Sequence, residues 1–420
     1  MRRPTTWTGY EPQASKCCVS EVAVATAPLN QVVTDRWSRW ATVAVFLTHG
    51  LLFASWTAHI PLIKEHLDLT DGALGLALLG APLGSVSAMV VSTRLLPRFG
   101  SKTMVRACLL GYCAVGPLVG LVGSPPALFT ALFVWGAFQG ALDVSMNTQA
   151  VAVERARGRP LMSGFHGCWS IGTFAGAGLG ALGVATGLSL SSQQLVLGMP
   201  ALIIAGWLTA RMVPDATTPA DDRADGDRVR RLSRPVLVLG VIAFASMLCE
   251  GASADWASVY LRGPLHTTPA VAGLGYAAFS FTMVVVRLSG NRLLIRFRPA
   301  SILPALAAIA TIGFCAGLVG NRGIAGIAGF GCLGIGLALI VPTVFSAAGR
   351  LPGLSPGTTI ATVSACGWFG FVCGPPLIGQ LASVASLSVA LGVIPLLTTC
   401  IVLSTALTPA LRDNGAGERS

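Results

Sequence analysis

Twelve runs of apolar residues follow one another along the chain, at 38–61, 73–96, 103–123, 126–150, 161–187, 193–213, 235–260, 269–291, 300–319, 323–348, 357–384 and 386–408. They are apolar all round, without the polar face of a helix that borders water. About 20 such residues cross a bilayer as a helix. The pattern predicts an all-α membrane protein with twelve transmembrane helices. Residues 1–36 are polar and mixed and read as a disordered tail, with no cleavable leader ahead of the first run. The stretch 214–234 carries acids first and bases after, as a solvated linker does. It separates two six-helix bundles, 37–213 and 235–410, and a short tail follows at 411–420.

Charge then sets the expected orientation. Only 11% of residues are charged, against roughly 25% in a soluble domain. The net charge is +11, and all but three of the 28 Lys and Arg fall in the tails and in loops on one side. The exceptions are Lys64, Arg262 and Arg322. Basic loops stay in the cytoplasm, so both termini are expected there and the chain in a bacterial inner membrane. No stretch interleaves basic and aromatic residues, which argues against a nucleic-acid partner. Eleven cysteines include no CxxC pair, and Walker A and HExxH sequences are missing as well. No enzyme activity, cofactor or metal is expected.

The two bundles are related. Arg94-Leu95-Leu96-Pro97-Arg98-Phe99 and Arg292-Leu293-Leu294-Ile295-Arg296-Phe297 match at five of six positions with an offset of 198. The same offset pairs Gly172 with Gly370 and Gly176 with Gly374. At an offset of 200, Trp56 pairs with Trp256, Leu74 with Leu274 and Gly75 with Gly275. Matches in order at nearly one offset indicate a duplicated six-helix unit. Parallel repeats of this kind place a solute site at the repeat interface near the midplane.

From about residue 37 to 408 these features resemble the major facilitator superfamily. Arg94 through Phe99-Gly100-Ser101-Lys102 looks like its loop 2–3 motif, with Pro97 in place of the usual acid. Gly136-Ala137-Phe138-Gln139-Gly140 resembles the helix-4 motif, with Gly136 in place of its arginine. Helix 5 carries Gly172, Gly176 and Gly180 without the proline of the antiporter motif. A narrower resemblance, to the MosC/YbjJ-like group of bacterial facilitators, rests on Asp143 to Gln149, Glu154-Arg155, Gly158 to Ser163, Phe165-His166-Gly167 and Trp169-Ser170. It implies the facilitator fold and solute transport, with helices 1, 4, 7 and 10 lining a central cavity.

Ionisable groups in the hydrocarbon are costly, so those present are functional candidates. Gln139, Asp143 and Asn147 fall at i, i+4 and i+8 and share one face of the fourth helix. A carboxyl in a low-dielectric cavity favours its neutral form and can carry a proton. A structural polar cluster is the alternative there. Glu250, in the outer half of the seventh helix, is a second candidate for solute or proton, whereas Asp255 is expected at the wet rim. His49, Phe53 and Trp56 share a face of the first helix, and with Trp256 they suit a sugar-like or aromatic solute; core packing is the competing reading. His59 sits at the outer end. His166 and Trp169 on the fifth helix and Arg287 on the eighth are expected near the cytoplasmic surface as a gate, with charge anchoring the competing role for Arg287.

Together these readings predict a monomeric, proton-coupled transporter of a small polar solute, sugar- or polyol-like, working by symport. Export of a metabolite or drug by antiport stays open, as does a non-transporting receptor or scaffold on the same fold.

Overall fold

The computed structural model describes residues 36–158, 161–213, 233–351 and 356–407. The expected tails and nearly all of the 214–234 linker lie outside those residues. Among the described residues twelve helices are long and apolar enough to cross a membrane. They are α1 (Trp37–His66), α2 (Asp71–Phe99), α3 (Ser101–Val119), α4 (Pro125–Arg157), α5 (Gly164–Ala185), α6 (Leu190–Arg211), α7 (Arg234–Arg262), α8 (Pro269–Gly290), α9 (Pro299–Val319), α10 (Gly323–Ala348), α11 (Thr359–Val384) and α12 (Leu387–Ala406). Several are longer than their apolar runs, among them α4, which continues to Arg157, and α8, whose helix runs on to Arg296. Polar residues extend both helices past the apolar stretch, so hydropathy alone undercounts them.

An even number of spans puts the start of α1 and the end of α12 on one face, here the terminal face. On the other, the distal face, the even-numbered helices begin. Thr70, Ser124, Ser189, Thr268 and Ser386 each accept a backbone N–H three residues on. Each such cap contributes about 1 kcal/mol. On the terminal face the Glu154 carboxylate accepts the Leu161 and Met162 N–H groups, at 2.6 and 2.9 Å, and so caps the start of α5.

The packing repeats between halves. In the first six helices α1 packs on α5 and α6, and α4 on α2 and α3, with α3 also on α6. In the second six, α7 packs on α11 and α12, and α10 on α8 and α9, with α9 also on α12. The halves meet chiefly where α5 crosses α8 and where α2 crosses α11. Small residues make the close crossings. A Cβ on Gly136 would stand 2.1 Å from the Ala81 carbonyl, and one on Gly334 2.2 Å from that of Phe279. Both pairs are 198 residues apart.

For the Leu74–Leu274 and Gly75–Gly275 pairs the offset of 200 is corrected by this geometry. Gly75 lies against Pro375 and Gly379 across the α2–α11 contact, while Gly273 lies against Ala181 across the α8–α5 contact. Gly75 therefore corresponds to Gly273, not to Gly275, which packs on Ala257 and Leu261 of its own half. Leu74 is buried whereas Leu274 is exposed, which a true pair would not be.

Prolines interrupt two of the inner helices. The first helix runs Arg36–Ser55, breaks into a 3-10 turn at Thr57–His59 and resumes as Ile60–His66. Pro61 has no N–H to give the Thr57 carbonyl. The tenth splits into Gly323–Leu337 and Ile340–Ala348, and there Pro342 leaves the Ala338 carbonyl without its helical donor. The helix of α11 passes through Pro375 and Pro376 as one element, Pro356–Val384.

Candidate functional site

The polar stripe on α4 lies inside the first half. Gln139, Asp143 and Asn147 are each half-buried. Asn147 Nδ2 donates to the Asp143 backbone carbonyl at 2.8 Å and to its carboxylate Oδ1 at 3.3 Å. Among the described residues no basic side chain pairs with Asp143.

One turn before Asp143, the Gln139 backbone stands beside the His49 ring. His49 is only 3% exposed, so it offers a solute almost no surface. Its Nδ1 accepts the Trp169 indole N–H at 2.8 Å, while Nε2 has no partner of good hydrogen-bond geometry. An aromatic column backs the ring. His49 stacks on Tyr112 at 5.6 Å, Tyr112 on Trp135 at 5.0 Å, and Trp56 meets Trp135 edge-on at 5.9 Å. Trp56 and Trp256 are buried to 4% and 0% exposure and line no open space in this conformation.

Trp169 belongs to this cluster rather than beside Arg287, where the sequence placed it. It is half-buried and stacks on Phe53 at 6.4 Å and 25°. His166, three residues earlier, sits about a turn closer to the terminal face and is exposed, edge-on to Phe46 at 5.5 Å. Three residues on a helix rotate a side chain by about 300°, enough to send the two rings to different neighbours.

The second half supplies an ion pair that joins two separately expected sites. Arg287 Nη2 lies 3.7 Å from Glu250 Oε2, with side chains 22% and 13% exposed. Its Nη1 donates to Ser170 Oγ of α5 at 3.3 Å, and its Nε to the Ala338 carbonyl at 3.3 Å. Arg287 thus touches α5, α7 and α10 at once. It lies deeper than the cytoplasmic rim expected for it, because the helix continues to Arg296. Ser170 and Ala338 were not singled out as partners in the sequence; Pro342 was the available signal for the carbonyl.

Asp255 is not at a wet rim. It is half-buried on α7, with buried neighbours on either side. His59 is 2% exposed, and its Nε2 meets Gln193 Oε1 at 3.0 Å, a satisfied core contact. Among the described residues no group of three or more His, Cys, Asp and Glu is placed to hold a metal. Two shallow apolar grooves, one bordered by Trp37, Trp40 and Leu47 and one by Val115, Leu118 and Val134, lie away from all these groups.

Comparison with known proteins fits this architecture. The family model of the Major Facilitator Superfamily matches residues 41–352. An uncharacterized MFS-type transporter of Yersinia pestis is 32% identical over 364 residues, covering 87% of this chain and 94% of that protein. The membrane protein MosC of Rhizobium meliloti is 31% identical over 370 residues, covering 87% and 89%. Among solved structures, a point-mutant form of the nucleoside transporter NupG superposes with a TM-score of 0.69 at 11% identity, over 88% of this chain and 98% of that one. The E. coli fucose:proton symporter FucP, also in a point-mutant form, gives 0.57 at 16% identity, over 87% and 97%. With twelve apolar helices arranged in two packing-equivalent sixes, the chain is a multi-pass membrane protein and belongs to the major facilitator superfamily.

Proposed function

We propose that the chain moves a small polar solute across a bacterial inner membrane by proton-coupled alternating access, with both termini in the cytoplasm. The observation that carries this reading is Asp143: a carboxylate inside a membrane span, without a basic partner among the described residues, on one face with Gln139 and Asn147. Such a group is costly unless it has work to do there. Gln139 and Asn147 supply amides for a solute's hydroxyls, and the Phe53–Trp169 stack supplies an apolar face beside them. That combination suits a sugar- or polyol-like molecule. The nucleoside and fucose carriers of the same fold support the solute class, and the fucose carrier supports symport.

The basic loops support the orientation. In that orientation the distal face is the outer one. The 3-10 turn of the first helix and the start of α2 meet the second half on that face, while α5 and α8 stay in contact from Gly273 at that face to Arg287.

The test is transport by the purified protein in liposomes. A thermal-shift panel of sugars, polyols, nucleosides, amino acids and drugs first selects a ligand, since binding raises the melting temperature. The selected solute, radiolabelled, is then offered under imposed proton gradients. Symport requires accumulation when the outside is acidic. Expulsion under that same gradient would mean antiport instead. Binding without any flux would leave a receptor.

A further inference from the structure

On the distal face, beside the α5–α8 contact, a hairpin of the first half also meets the second half, and its two arms are each bounded by a helix interruption. Its first arm follows the 3-10 turn Thr57–His59, and its second ends at Leu79, where α2 is interrupted between Asp71–Leu78 and Gly80–Phe99. Pro61 and Pro82 each remove the backbone donor that would have bridged its interruption. Between the breaks lie residues 60–78, and the Lys64–Asp71 ion pair ties the two arms together.

The bonds on either side of the first break point to different halves of the protein. Before it, Gln193 Nε2 of α6 donates to the Ser55 carbonyl at 2.7 Å, and Gln194 Nε2 to Ser55 Oγ at 3.2 Å. These hold the long arm of α1 in its own half. At the break itself His59 still meets Gln193 of its own half at 3.0 Å, whereas Thr57 and the residues beyond the break also take partners in the second half. Ser258 Oγ of α7 donates to the Thr57 carbonyl at 2.6 Å, with both residues 1% exposed. One turn further along α7, Arg262 Nε donates to Glu65 Oε1 at 2.8 Å. On the second arm, Gln380 Nε2 of α11 donates to the Gly72 carbonyl at 3.4 Å, and Gly75 and Gly379 bring the two backbones into contact. The second arm also packs on α4 of its own half.

We propose that residues 60–78 are a hinged gate of the distal face, latched to the second half by Ser258 on Thr57 and by Arg262 on Glu65. The Thr57 carbonyl is the catch. A continuous helix would give it the N–H four residues on. Here that residue is Pro61, only the Ile60 N–H reaches the carbonyl from within the turn, and its second lone pair is left for the other half. When the halves separate on this face, the hairpin loses Ser258 and Arg262 together and turns about its two interruptions. This reading rests on the alternating access proposed above, but not on the solute or the coupling ion.

The test needs no ligand. Hydrogen exchange of the full-length protein in lipid nanodiscs, followed by mass spectrometry, compares wild type with Ser258→Ala, Ser258→Thr and Arg262→Gln. Loss of the buried latch bond should speed exchange in peptides covering 57–78 by about tenfold in Ser258→Ala. Ser258→Thr keeps the hydroxyl and should keep the wild-type rate. Arg262→Gln should speed the same peptides by a smaller factor. Peptides from α3 and α9 should not change in any variant. Unchanged exchange over 57–78 in both Ser258→Ala and Arg262→Gln would overturn the gate. So would an increase shared equally by α3 and α9, which would mean general loosening, or a Ser258→Thr variant that behaves like Ser258→Ala.

Discussion

Arg287 donates its Nε–H to the backbone carbonyl of Ala338 at 3.3 Å, on a neighbouring helix. That carbonyl is available because Pro342, four residues on, has no N–H to offer it. The same logic places Ser258 on Thr57 at the distal face, four residues before Pro61. In each case a proline converts a helical acceptor into a contact point for another helix.

The Arg287–Glu250 pair should behave as a coupled unit. Removing one partner leaves the other charge inside the spans without its counter-ion. Glu250→Gln or Arg287→Gln alone should lower the melting temperature in detergent. The double variant should recover part of that loss, with a coupling of about 1–3 kcal/mol. Arg287→Lys keeps the charge but loses the fork that reaches Ser170 and Ala338 together, so it should also fall below wild type. Strictly additive single and double effects would mean that the 3.7 Å approach carries no energy.

Close helix crossings make a second, sharper stability test. A Cβ on Gly176 would stand 2.2 Å from the Leu51 carbonyl, whereas one on Gly178 meets nothing within 4 Å. Gly176→Ala must push α5 off α1 and should cost about 1–3 kcal/mol. Gly178→Ala should be neutral or slightly stabilising, because alanine is the better helix former. Thermal unfolding of the two variants side by side decides it, and equal melting temperatures would contradict the packing described.

Orientation is testable by labelling. The basic ends of α2 and α8 carry Arg94, Arg98, Arg292 and Arg296 and are expected to face the cytoplasm. Cysteines placed at Phe99 and Phe297, with the reactive native thiols replaced, should resist an impermeant maleimide in intact cells and react after permeabilisation. Cysteines at Ser124 and Asn321, on the distal face, should react in intact cells. The reverse pattern would invert the topology.

The spans and the duplication were legible because both are one-dimensional signals. An apolar run of sufficient length is a membrane helix whatever surrounds it, and the matched Arg94–Phe99 and Arg292–Phe297 loops needed only counting. What faces what was harder. Periodicity put His49, Phe53 and Trp56 on one face of α1, but not which of them would be covered. Helix α5 crosses closely enough for Trp169 to take His49, and Trp135 takes Trp56, leaving Phe53 half-buried. Glu250 and Arg287 read as separate sites because they lie on different helices, and only the crossing of α7 and α8 brings them together. The two-residue error that paired Gly75 with Gly275 has the same origin: sequence identity scores letters, whereas equivalence is set by which backbone each glycine touches.

Asp143 is expected to carry the coupling proton. It is an acid inside the spans of the first half, far from the arginines that surround Glu154 at the end of the same helix. The amide of Asn147 bonds both to its backbone and to its carboxylate, which fixes the side chain toward the interior without supplying a charge. A solute that reaches Gln139 and Asn147 must displace water from this carboxylate. Solute and proton then alter each other's binding by the same factor, as linkage requires. Asp143→Asn keeps the side chain's size and most of its hydrogen bonding while removing the titratable group. Accumulation driven by a proton gradient should be abolished in liposomes, and solute exchange at equal concentrations should continue at a rate near wild type. If the variant accumulates solute against its gradient as wild type does, the proton site lies elsewhere, with Glu250 the next group to test. If exchange is lost together with accumulation, Asp143 binds the solute itself, and the coupling assignment fails in a different way.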